Sequence, residues 1–302
     1  MKIMIAGGTG FIGGDLVAQL RSKGHELFLL SRSEKKSADS NIHYLPWDGK
    51  SSGSWGSQMS AMDAVINLAG EPIAGKRWSA AQKDKILQSR ILGTRAIIEA
   101  ISKSNPKPKL LINASAVGYY GNVPEGDVNE THAKGKGFLA DTCEAWENEA
   151  LRAQAVGLRT VLLRTGIVLE RGGGALSKML PPFQFFAGGP LGSGRQWFPW
   201  IHRQDVVRIL LFALENEAIS GAVNTTAPNP VTMREFCRDL GKVMHRPSWA
   251  PVPALALKIL LGEMSEMLLG GQKALPEKLL KHQFIFKFPN LEGALADILV
   301  KP

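Results

Sequence analysis

The sequence predicts an α/β protein, and two observations support that prediction. Short apolar runs alternate with amphipathic segments of helical length, which is the pattern of repeated βαβ units around a parallel sheet. The first apolar run, residues 3–6, leads into glycines at positions 7, 10 and 13 and then into a helical segment. The predicted fold class is therefore α/β, a Rossmann-type doubly wound parallel sheet with a smaller, mostly helical C-terminal domain.

The glycine-rich loop after the first strand indicates a dinucleotide-binding site. Small residues let the backbone turn tightly and approach a pyrophosphate, and the following helix presents its free N–H groups to the phosphates. That helical segment, residues 11–23, has its apolar residues on one face and ends at Gly24. The candidate cofactor-binding residues of the loop are Gly7, Thr9, Gly10, Phe11, Ile12 and Gly13. The alternative is that these glycines make only a tight strand-to-helix turn.

The second predicted strand, residues 26–30, indicates which dinucleotide is bound. Folds that bind NAD usually place an Asp or Glu roughly 20 residues past the glycines to hold the ribose hydroxyls. Here the strand leads into Ser31 and Arg32, with no acid at its tip. Because a guanidinium makes charge-assisted, often bidentate bonds to phosphate, these residues favour NADP(H). The alternative is a solvated surface arginine.

Composition narrows the class of protein. The 302 residues, 44% hydrophobic and 21% charged, are typical of a globular chain that buries a large core. No apolar run approaches the roughly 20 residues of a membrane span, and the first strand follows Met1 and Lys2 directly, so we expect no signal peptide. The net charge of +9 is scattered without a nucleic-acid motif, and the two cysteines lack metal-ligand spacing. We expect a cytoplasmic protein with a small-molecule substrate and no nucleic-acid, membrane or metal partner.

The alternation continues through the first half of the chain. Strands are predicted at residues 41–45, 63–70, 109–115 and 159–164, helices at 79–104, with Ser79 as N-cap, and at 137–156, and a loop at 50–60. Since ligands bind beyond the carboxyl ends of parallel strands, the segments after the strands should meet in one crevice. Those segments are residues 7–13, 31–32, 68–71, 115–121 and 164–168. Their convergence is the best argument for a ligand site from the residues alone.

The alternation weakens after the glycines at 172–174, which predicts a second, smaller domain. We expect an NADP-binding domain of residues 1–170, to which residues 195–230 return, and a substrate or lid domain of residues 171–194 and 231–302. Further elements are predicted as a helix at 206–217, a strand at 222–225 and a helix that begins at Thr232, with Glu235 completing a capping box. Residues 249–302, which we call the tail, are rich in apolar residues that we expect in the core: Leu255, Leu257, Leu260, Leu261, Met264, Met267, Leu268 and Leu269.

Several motifs together indicate a family. The glycine loop, residues 67–70 (NLAG), 115–121 (SAVGYYG) and 198–205 (FPWIHRQD) resemble the extended short-chain dehydrogenases/reductases. The chain is more closely similar to their poorly characterised branch of epimerase family proteins. The pattern of that branch fits residues 70–74, Arg90 and residues 262–276. The resemblance covers nearly the whole chain. The NADP(H) site that it implies consists of the glycine loop with Ser31, Arg32, Leu68, Ala69, Gly70, Arg90 and Val168.

Two of the cofactor-binding candidates, Arg90 and Glu71, have open alternatives. Arg90 lies on a predicted helix, so it could instead form a surface ion pair. Glu71 could contact the nicotinamide side of the cofactor or only cap a loop.

The chain departs from that superfamily at its usual catalytic pair. Short-chain dehydrogenases activate a tyrosine hydroxyl with a lysine four residues later, which lowers the phenol pKa. On the helix that should hold this pair, Leu139 and Cys143 occupy the expected places. The only tyrosines are Tyr44, Tyr119 and Tyr120, and none has a lysine four residues on.

Ser115, Tyr119 and Tyr120 are the candidate catalytic residues. Ser115 could hydrogen-bond a substrate oxygen, although an alignment shifted by one residue places Ala116 there, and either tyrosine could replace the missing acid. At least one tyrosine is expected to be a buried packing residue. His202 and Asp205 are expected to form a structural helix start.

Two hypotheses of function follow. The first is an NADP-dependent oxidoreductase or epimerase acting on a small, nucleotide-linked or similar substrate. The second is a redox sensor or interaction protein that binds NADP(H) without turnover, which the absence of Tyr-x-x-x-Lys favours.

Overall fold

A computed structural model describes residues 1–300 and has the predicted architecture. Its main sheet consists of seven parallel strands. All strands in chain order are β1 (Lys2–Ala6), β2 (Glu26–Ser31), β3 (Ile42–Pro46), β4 (Ala64–Asn67), β5 (Leu110–Ala116), β6 (Val123–Val128), β7 (Arg159–Thr165), β8 (Ile167–Leu169), β9 (Trp197–Phe198), β10 (Trp200–His202), β11 (Gly221–Thr225), β12 (Val231–Thr232) and β13 (Gln272–Ala274).

The helices alternate with these strands in the first half and dominate the second. They are α1 (Gly13–Ser22), α2 (Ala80–Lys103), α3 (Phe138–Leu151), α4 (Gly174–Gln184), α5 (Arg203–Glu215), α6 (Met233–Met244), α7 (Ala254–Leu261), α8 (Glu266–Leu269), α9 (Glu277–Lys281) and α10 (Leu291–Leu299). Two predicted caps are confirmed, since Ser79 Oγ accepts from Gln82 N at 3.2 Å and Thr232 with Glu235 forms a capping box on α6.

The strand order places a ligand crevice at the middle of the sheet. The order is β11-β7-β5-β4-β1-β2-β3, so the chain builds outward from β1 in one direction and then returns to build from β4 in the other. Loops after β1 and β4 therefore diverge at their carboxyl ends. This divergence is the topological switch point at which doubly wound folds bind ligands.

Helices cover both faces of the sheet. On one face, α1 and α5 pack with the sheet around Ile3, Ile5 and Leu210, all fully buried. On the other face, α2 and α3 pack with Met4 and Val65. Because side chains of a strand alternate between faces, the continuous apolar run of β1 serves both cores, as its composition predicts.

The second half of the chain forms a lobe beside the sheet. Its core lies between α4, α6 and α10 and is centred on Trp200, Phe183 and Phe236. Part of the tail returns to the sheet, because Phe284 and Phe286 belong to the core beside α5. Within residues 1–300, no helix combines the length and apolar character needed to cross a membrane.

Two expectations about local structure are wrong. Residues 50–60 are not only a loop, since Ser54–Ala61 form a 3₁₀ helix that buries Trp55 and Met59. In the tail, Leu257 and Met264 are buried as expected, but Leu255 and Leu260 are exposed. An apolar periodicity shows that a helix packs on something, but it does not show how much of its surface is covered.

Candidate functional site

The glycine loop after β1 leaves a space that only glycine permits. Gly7 has a φ of +80°, and a Cβ there would lie 2.8 Å from the carbonyl carbon of Leu68. A Cβ on Gly13 would lie 2.1 Å from the oxygen of Gly7. These contacts hold the turn tight against the loop after β4, so side chains at either position would force the loop open.

The start of α1 adjoins this turn and has no side-chain cap. Ile12 is the N-cap residue and makes no side-chain cap hydrogen bond, and Gly10 N donates to Gly7 O at 3.0 Å. An uncapped helix start beside a glycine turn provides both hydrogen-bond donors and the positive end of the helix dipole. Such a start fits a pyrophosphate.

Buried amides position the loop after β4, which contains Leu68, Ala69 and Gly70. Asn67 Oδ1 accepts from Ala69 N at 3.2 Å, and its Nδ2 donates to Asn113 Oδ1 at 2.7 Å and to Thr94 Oγ1 at 3.0 Å. Since Asn67 and Asn113 are almost fully buried, this bridge fixes the ends of two neighbouring strands relative to each other.

The tip of β2 presents a cation to a cavity. Arg32 is exposed and forms no ion pair within residues 1–300. It lines a cavity of about 380 Å³ together with Trp47, Asp48 and Ser54. The neighbouring Ser31 hydroxyl makes a local turn by donating to Ser33 O at 2.9 Å. A free guanidinium beside a cavity at this strand end fits a phosphate group.

Arg90 on α2 is a second cation without an acidic partner among the described residues. Its Nη1 donates to the carbonyls of Glu71 and Ile86, at 3.1 and 2.9 Å, and its Cζ lies 5.0 Å from the Trp146 ring centroid. The guanidinium packs so closely on Gly70 that a Cβ there would be 3.2 Å from Cζ. Burial lowers the pKa of Arg90. This desolvated charge at the crevice suits an anionic group.

Glu71 is held by the same helix. Its N–H donates to Ser89 Oγ at 3.0 Å, and its carbonyl accepts from Arg90. The side chain is only half-buried.

The segment after β8 meets the glycine loop from the other side. A Cβ on Gly174 would lie 3.1 Å from Val168 O and 3.3 Å from the Phe11 ring. The Phe11 ring also lies 5.3 Å from Arg203 Cζ. Phe11 thus links the start of α1 to the start of α4, with Val168 beside them.

Ser115 belongs to a buried polar network at the ends of β5 and β7. Its Oγ donates to Glu147 Oε1 at 2.6 Å, and Arg164 donates to both oxygens of Glu147, at 2.9 and 2.8 Å. All three residues are at most 5% exposed. Burial alone would lower the pKa of Arg164, but the hydrogen bonds that its guanidinium donates to Glu147 raise it instead.

Both tyrosines adjoin this network. Tyr120 OH donates to Asn224 Oδ1 at 2.6 Å and accepts from Arg164 Nη1 at 3.0 Å. Burial raises the pKa of Tyr120 to about 12. The Tyr119 ring lies over the Arg164 guanidinium, with Cζ 3.5 Å from the ring centroid, and is only partly buried. We call Ser115, Glu147, Arg164, Tyr120 and Asn224 the polar network.

The helix that would hold the Tyr-x-x-x-Lys pair faces the end of β5 with apolar and thiol groups. Leu139 Cβ and Cys143 Sγ are 3.3 and 3.8 Å from where a Cβ on Gly118 would lie. They are therefore one turn apart on the face of α3 that meets the crevice. Burial raises the pKa of Cys143 to about 11, so its thiol stays protonated at neutral pH.

Leu139 continues into an apolar cluster that joins the lobe to the sheet. The cluster has Trp78, Ile86 and Met264 buried at its centre and is completed by Ile73, Phe138, Leu139, Leu261 and Met267. The loop after β4, the start of α3 and the tail thus meet around Leu139, which is partly buried. Apolar side chains packed in this way exclude water from the cluster.

His202 and Asp205 have structural contacts. His202 Nδ1 accepts from Gln204 N at 3.0 Å and caps α5, and the ring stacks on Phe288. Asp205 is fully buried and accepts from the N–H groups of Lys287 and Phe288, both at 2.8 Å. The expectation of a structural helix start is confirmed. Residues 1–300 contain no cluster of His, Cys, Asp and Glu that could hold a metal.

Sequence reasoning missed the partners that organise the network, above all Glu147 and Asn224. One signal was available, since Arg164 interrupts the apolar run of β7 and a buried strand rarely carries an unpaired charge. Nothing in the sequence identified Glu147 as its partner. The cofactor candidates and the catalytic candidates lie at the same edge of the sheet, but in different electrostatic surroundings.

Comparison with known proteins agrees with this architecture. A family model of the NAD dependent epimerase/dehydratase family matches residues 3–225, and a model of a domain of unknown function (DUF1731) matches residues 252–298. The second match covers the tail that packs against the apolar cluster.

Relatives align over nearly the whole chain. The epimerase family protein SDR39U1 homolog, chloroplastic, of Arabidopsis thaliana is 43% identical over 99% of this chain and 87% of its own length. The epimerase family protein YfhF of Bacillus subtilis is 42% identical over 99% of this chain and 98% of its own. A crystal structure of human epimerase family protein SDR39U1 (isoform2) with NADPH has a TM-score of 0.88 and 34% identity and covers both chains completely.

Proposed function

The chain belongs to the NAD dependent epimerase/dehydratase family, and from this membership we propose an NADP(H)-binding oxidoreductase or epimerase of the cytoplasm that acts on a small molecule without Tyr-x-x-x-Lys. The tight turn around Gly7 and Gly13, which we call the glycine cradle, supports it most together with two nearby cations. These cations, Arg32 and Arg90, form no ion pair in residues 1–300. Nucleotide-linked sugars are the first substrates to test.

The residues present fit NADP(H). The turn around Gly7 and Gly13 has room for backbone approach by a pyrophosphate but not for a Cβ. Arg32 lines the cavity at the tip of β2 and suits a 2′-phosphate. A human relative has been crystallised with NADPH. When bound, NADP(H) supplies hydride chemistry at C4 of its nicotinamide.

The chain's own residues would provide a positive charge and an apolar surface that excludes water, instead of the phenol that acts as an acid in the superfamily. Arg90 packs against Gly70 in the loop after β4, where burial desolvates its charge, and would stabilise negative charge on a bound oxygen. The apolar cluster around Trp78 would keep water away from that charge. Neither Tyr120, with its pKa near 12, nor Cys143 is matched to proton transfer at neutral pH.

The test uses NADPH that carries deuterium at C4, incubated with the protein and a desalted extract of small metabolites. Mass spectrometry follows both the cofactor and the metabolites. Deuterium in a metabolite supports the proposal and names the substrate. Retention of all label on the cofactor across several extracts contradicts a reductase that consumes NADPH.

A second candidate is a protein that binds NADP(H) without chemistry and presents its lobe to a partner. The observation that favours it is the apolar cluster around Leu139, at the position where the resemblance to the superfamily implies a catalytic tyrosine. Retained label together with tight NADPH binding supports this candidate, whereas failure to bind NADPH contradicts both.

A further inference from the structure

The lobe exposes large apolar side chains in two segments that a β-bridge joins, one after α4 and one before and along α7. Between 55% and 81% of each side chain is exposed, and the residues are Phe185, Phe186, Trp249, Leu255, Ile259 and Leu260. We call these six residues the outer face. The first two follow α4, Trp249 precedes α7, and the last three lie on α7. Contiguous exposed apolar surface on a folded domain usually marks an interaction site.

Specific contacts hold the aromatic part of this face in place. Trp249 Nε1 donates to Phe186 O at 3.0 Å, and Trp249 N donates to Gly188 O at 2.9 Å. Phe186 has a φ of +61°, which is unusual for an aromatic residue and persists only where surrounding contacts impose it. The two rings are therefore displayed by a defined structure rather than by a free loop.

Helix α7 extends the face along the chain. Leu257 points inward and is buried, whereas Leu255 and Ile259 lie one turn apart on the exposed side with Lys258 beside them. The segment before α7 is fixed to the one after α4, because Val252 pairs with Leu191 across a β-bridge. Both parts of the face thus belong to one unit of the lobe.

The two segments of chain that hold the outer face contain basic residues and no acidic ones. Residues 171–195 and 245–262 contain no Asp or Glu. Their basic residues are Arg171, Lys178, Arg195, Arg246 and Lys258, and none of these forms an ion pair within residues 1–300. Arg246 lies with its Cζ 4.4 Å from the Phe186 ring centroid, so cation and apolar surface are adjacent.

We propose that the outer face docks this protein on an anionic lipid bilayer. Aromatic and aliphatic side chains enter the boundary between headgroups and acyl chains, and Lys and Arg meet the anionic headgroups. The long stems of Lys258 and Arg246 allow their charges to reach those headgroups while apolar neighbours are buried. A second copy of the chain is disfavoured as occupant, because pairing two such faces would bring like charges together.

The proposal departs from the expectation of no membrane partner, and the reason is physical. That expectation concerned spanning segments, for which an apolar run is necessary. Surface docking needs only exposed apolar side chains and cations on one side of a folded unit. Which apolar side chains are exposed can be read from the tertiary structure but not from the sequence.

The test is co-sedimentation of the full chain with two kinds of vesicle. One contains phosphatidylcholine alone, and the other contains equal parts of phosphatidylcholine and phosphatidylglycerol. We expect sedimentation with the anionic vesicles only, and loss of binding at high salt because the attraction is screened. Brominated lipid should quench fluorescence in the parent more than in Trp249→Phe.

Matched variants distinguish vesicle binding by the outer face from non-specific binding through other exposed apolar side chains. Leu255→Ser/Ile259→Ser and Arg246→Ala/Lys258→Ala should each weaken binding by at least roughly tenfold. Ile285→Ser removes a side chain that is 77% exposed, between two phenylalanines of the sheet core, and should change nothing. Circular dichroism and NADPH titration show that each variant is folded.

Three outcomes would overturn the proposal. One is absence of binding to anionic vesicles by the folded parent. Another is equal loss of binding in Ile285→Ser and in the outer-face variants. The third is concentration-dependent self-association in analytical ultracentrifugation that the outer-face variants abolish without any vesicle binding, which would make a second copy the occupant.

Discussion

The cofactor half of the crevice and the candidate catalytic half differ in how their charged groups are paired. At the glycine loop and β2, Arg32 and Arg90 have no acidic partner within the described residues, and the start of α1 is uncapped. At β5 and β7, by contrast, Arg164 is paired with Glu147, and the hydroxyls of Ser115 and Tyr120 have partners at 2.6 Å. Free charge is available for a ligand, whereas paired charge stabilises the fold.

The largest expected effect tests whether the polar network supports the fold. Glu147→Ala leaves the Arg164 guanidinium buried without its partner, and we expect the free energy of unfolding to fall by about 3–5 kcal/mol. Urea unfolding measures the change. Glu263→Ala, which breaks an exposed pair with Lys83, should cost no more than about 1 kcal/mol. Equal costs for the two variants would show that the network is not structural.

The second prediction tests the glycine cradle. Gly13→Ala places a Cβ 2.1 Å from Gly7 O, so we expect a loss of about 1–3 kcal/mol of stability and loss of NADPH binding in calorimetry. Gly14→Ala is the control, since a Cβ there meets nothing within 4 Å. Unchanged NADPH affinity in a folded Gly13→Ala variant would show that the glycine cradle does not bind the cofactor.

The third prediction concerns the choice of cofactor. Arg32→Ala removes the cation at the tip of β2, so the dissociation constant for NADPH should rise roughly 10–100-fold while that for NADH stays unchanged. Lys36→Ala changes a nearby exposed charge and serves as the control. Equal loss of NADH and NADPH binding would mean that Arg32 does not recognise the 2′-phosphate.

The fourth prediction distinguishes the two adjacent tyrosines. Tyr120→Phe removes hydrogen bonds to Asn224 and from Arg164, so we expect a loss of about 1–2 kcal/mol in unfolding free energy. Tyr119→Phe keeps its ring over Arg164 and should cost less than about 0.5 kcal/mol. If turnover is found, full activity in the double variant would remove both phenols from the mechanism.

The last prediction is a dependence of stability on alkaline pH. The pKa of Tyr120 is about 12 in the folded chain, against 10.0 for the ordinary group, so the unfolded chain loses this proton first. The stabilisation is therefore complete below pH 10 and decreases as the pH rises toward 12. Absorbance titration of the phenols should show one late transition that is missing in Tyr120→Phe. A parent titration that lacks a transition near pH 12 would contradict it.

Much of the fold was predictable because it depends on local patterns. The buried run before Gly7, the cap at Ser79 and the capping box at Thr232 with Glu235 are properties of short segments, and each is confirmed. The same is true of helix ends such as Gly24, with its φ of +78°. Errors arose where burial depended on distant parts of the chain, as at Leu255 and Leu260.

In the candidate site, too, the features that depend on short segments were predictable and the contacts between distant residues were not. Glycine spacing and the missing acid after β2 are readable from the residues, because backbone approach and phosphate recognition require particular residue types. The partners of Ser115 and Tyr120 are not readable, since Glu147 and Asn224 are 32 and 104 residues away along the chain. Whether Ser115, Tyr119 and Tyr120 take part in catalysis stays a prediction.

The sequence by itself determined the α/β alternation, the dinucleotide loop, the family and the absence of Tyr-x-x-x-Lys, because each depends on residue type and spacing. Only the tertiary structure decided which charges are free and which apolar residues are exposed. It paired Arg164 with Glu147, left Arg90 without an ion pair among the described residues, packed Leu139 into an apolar cluster and exposed Trp249. These outcomes depend on which distant side chains meet, and pairing and burial set the energy of every charged or apolar group.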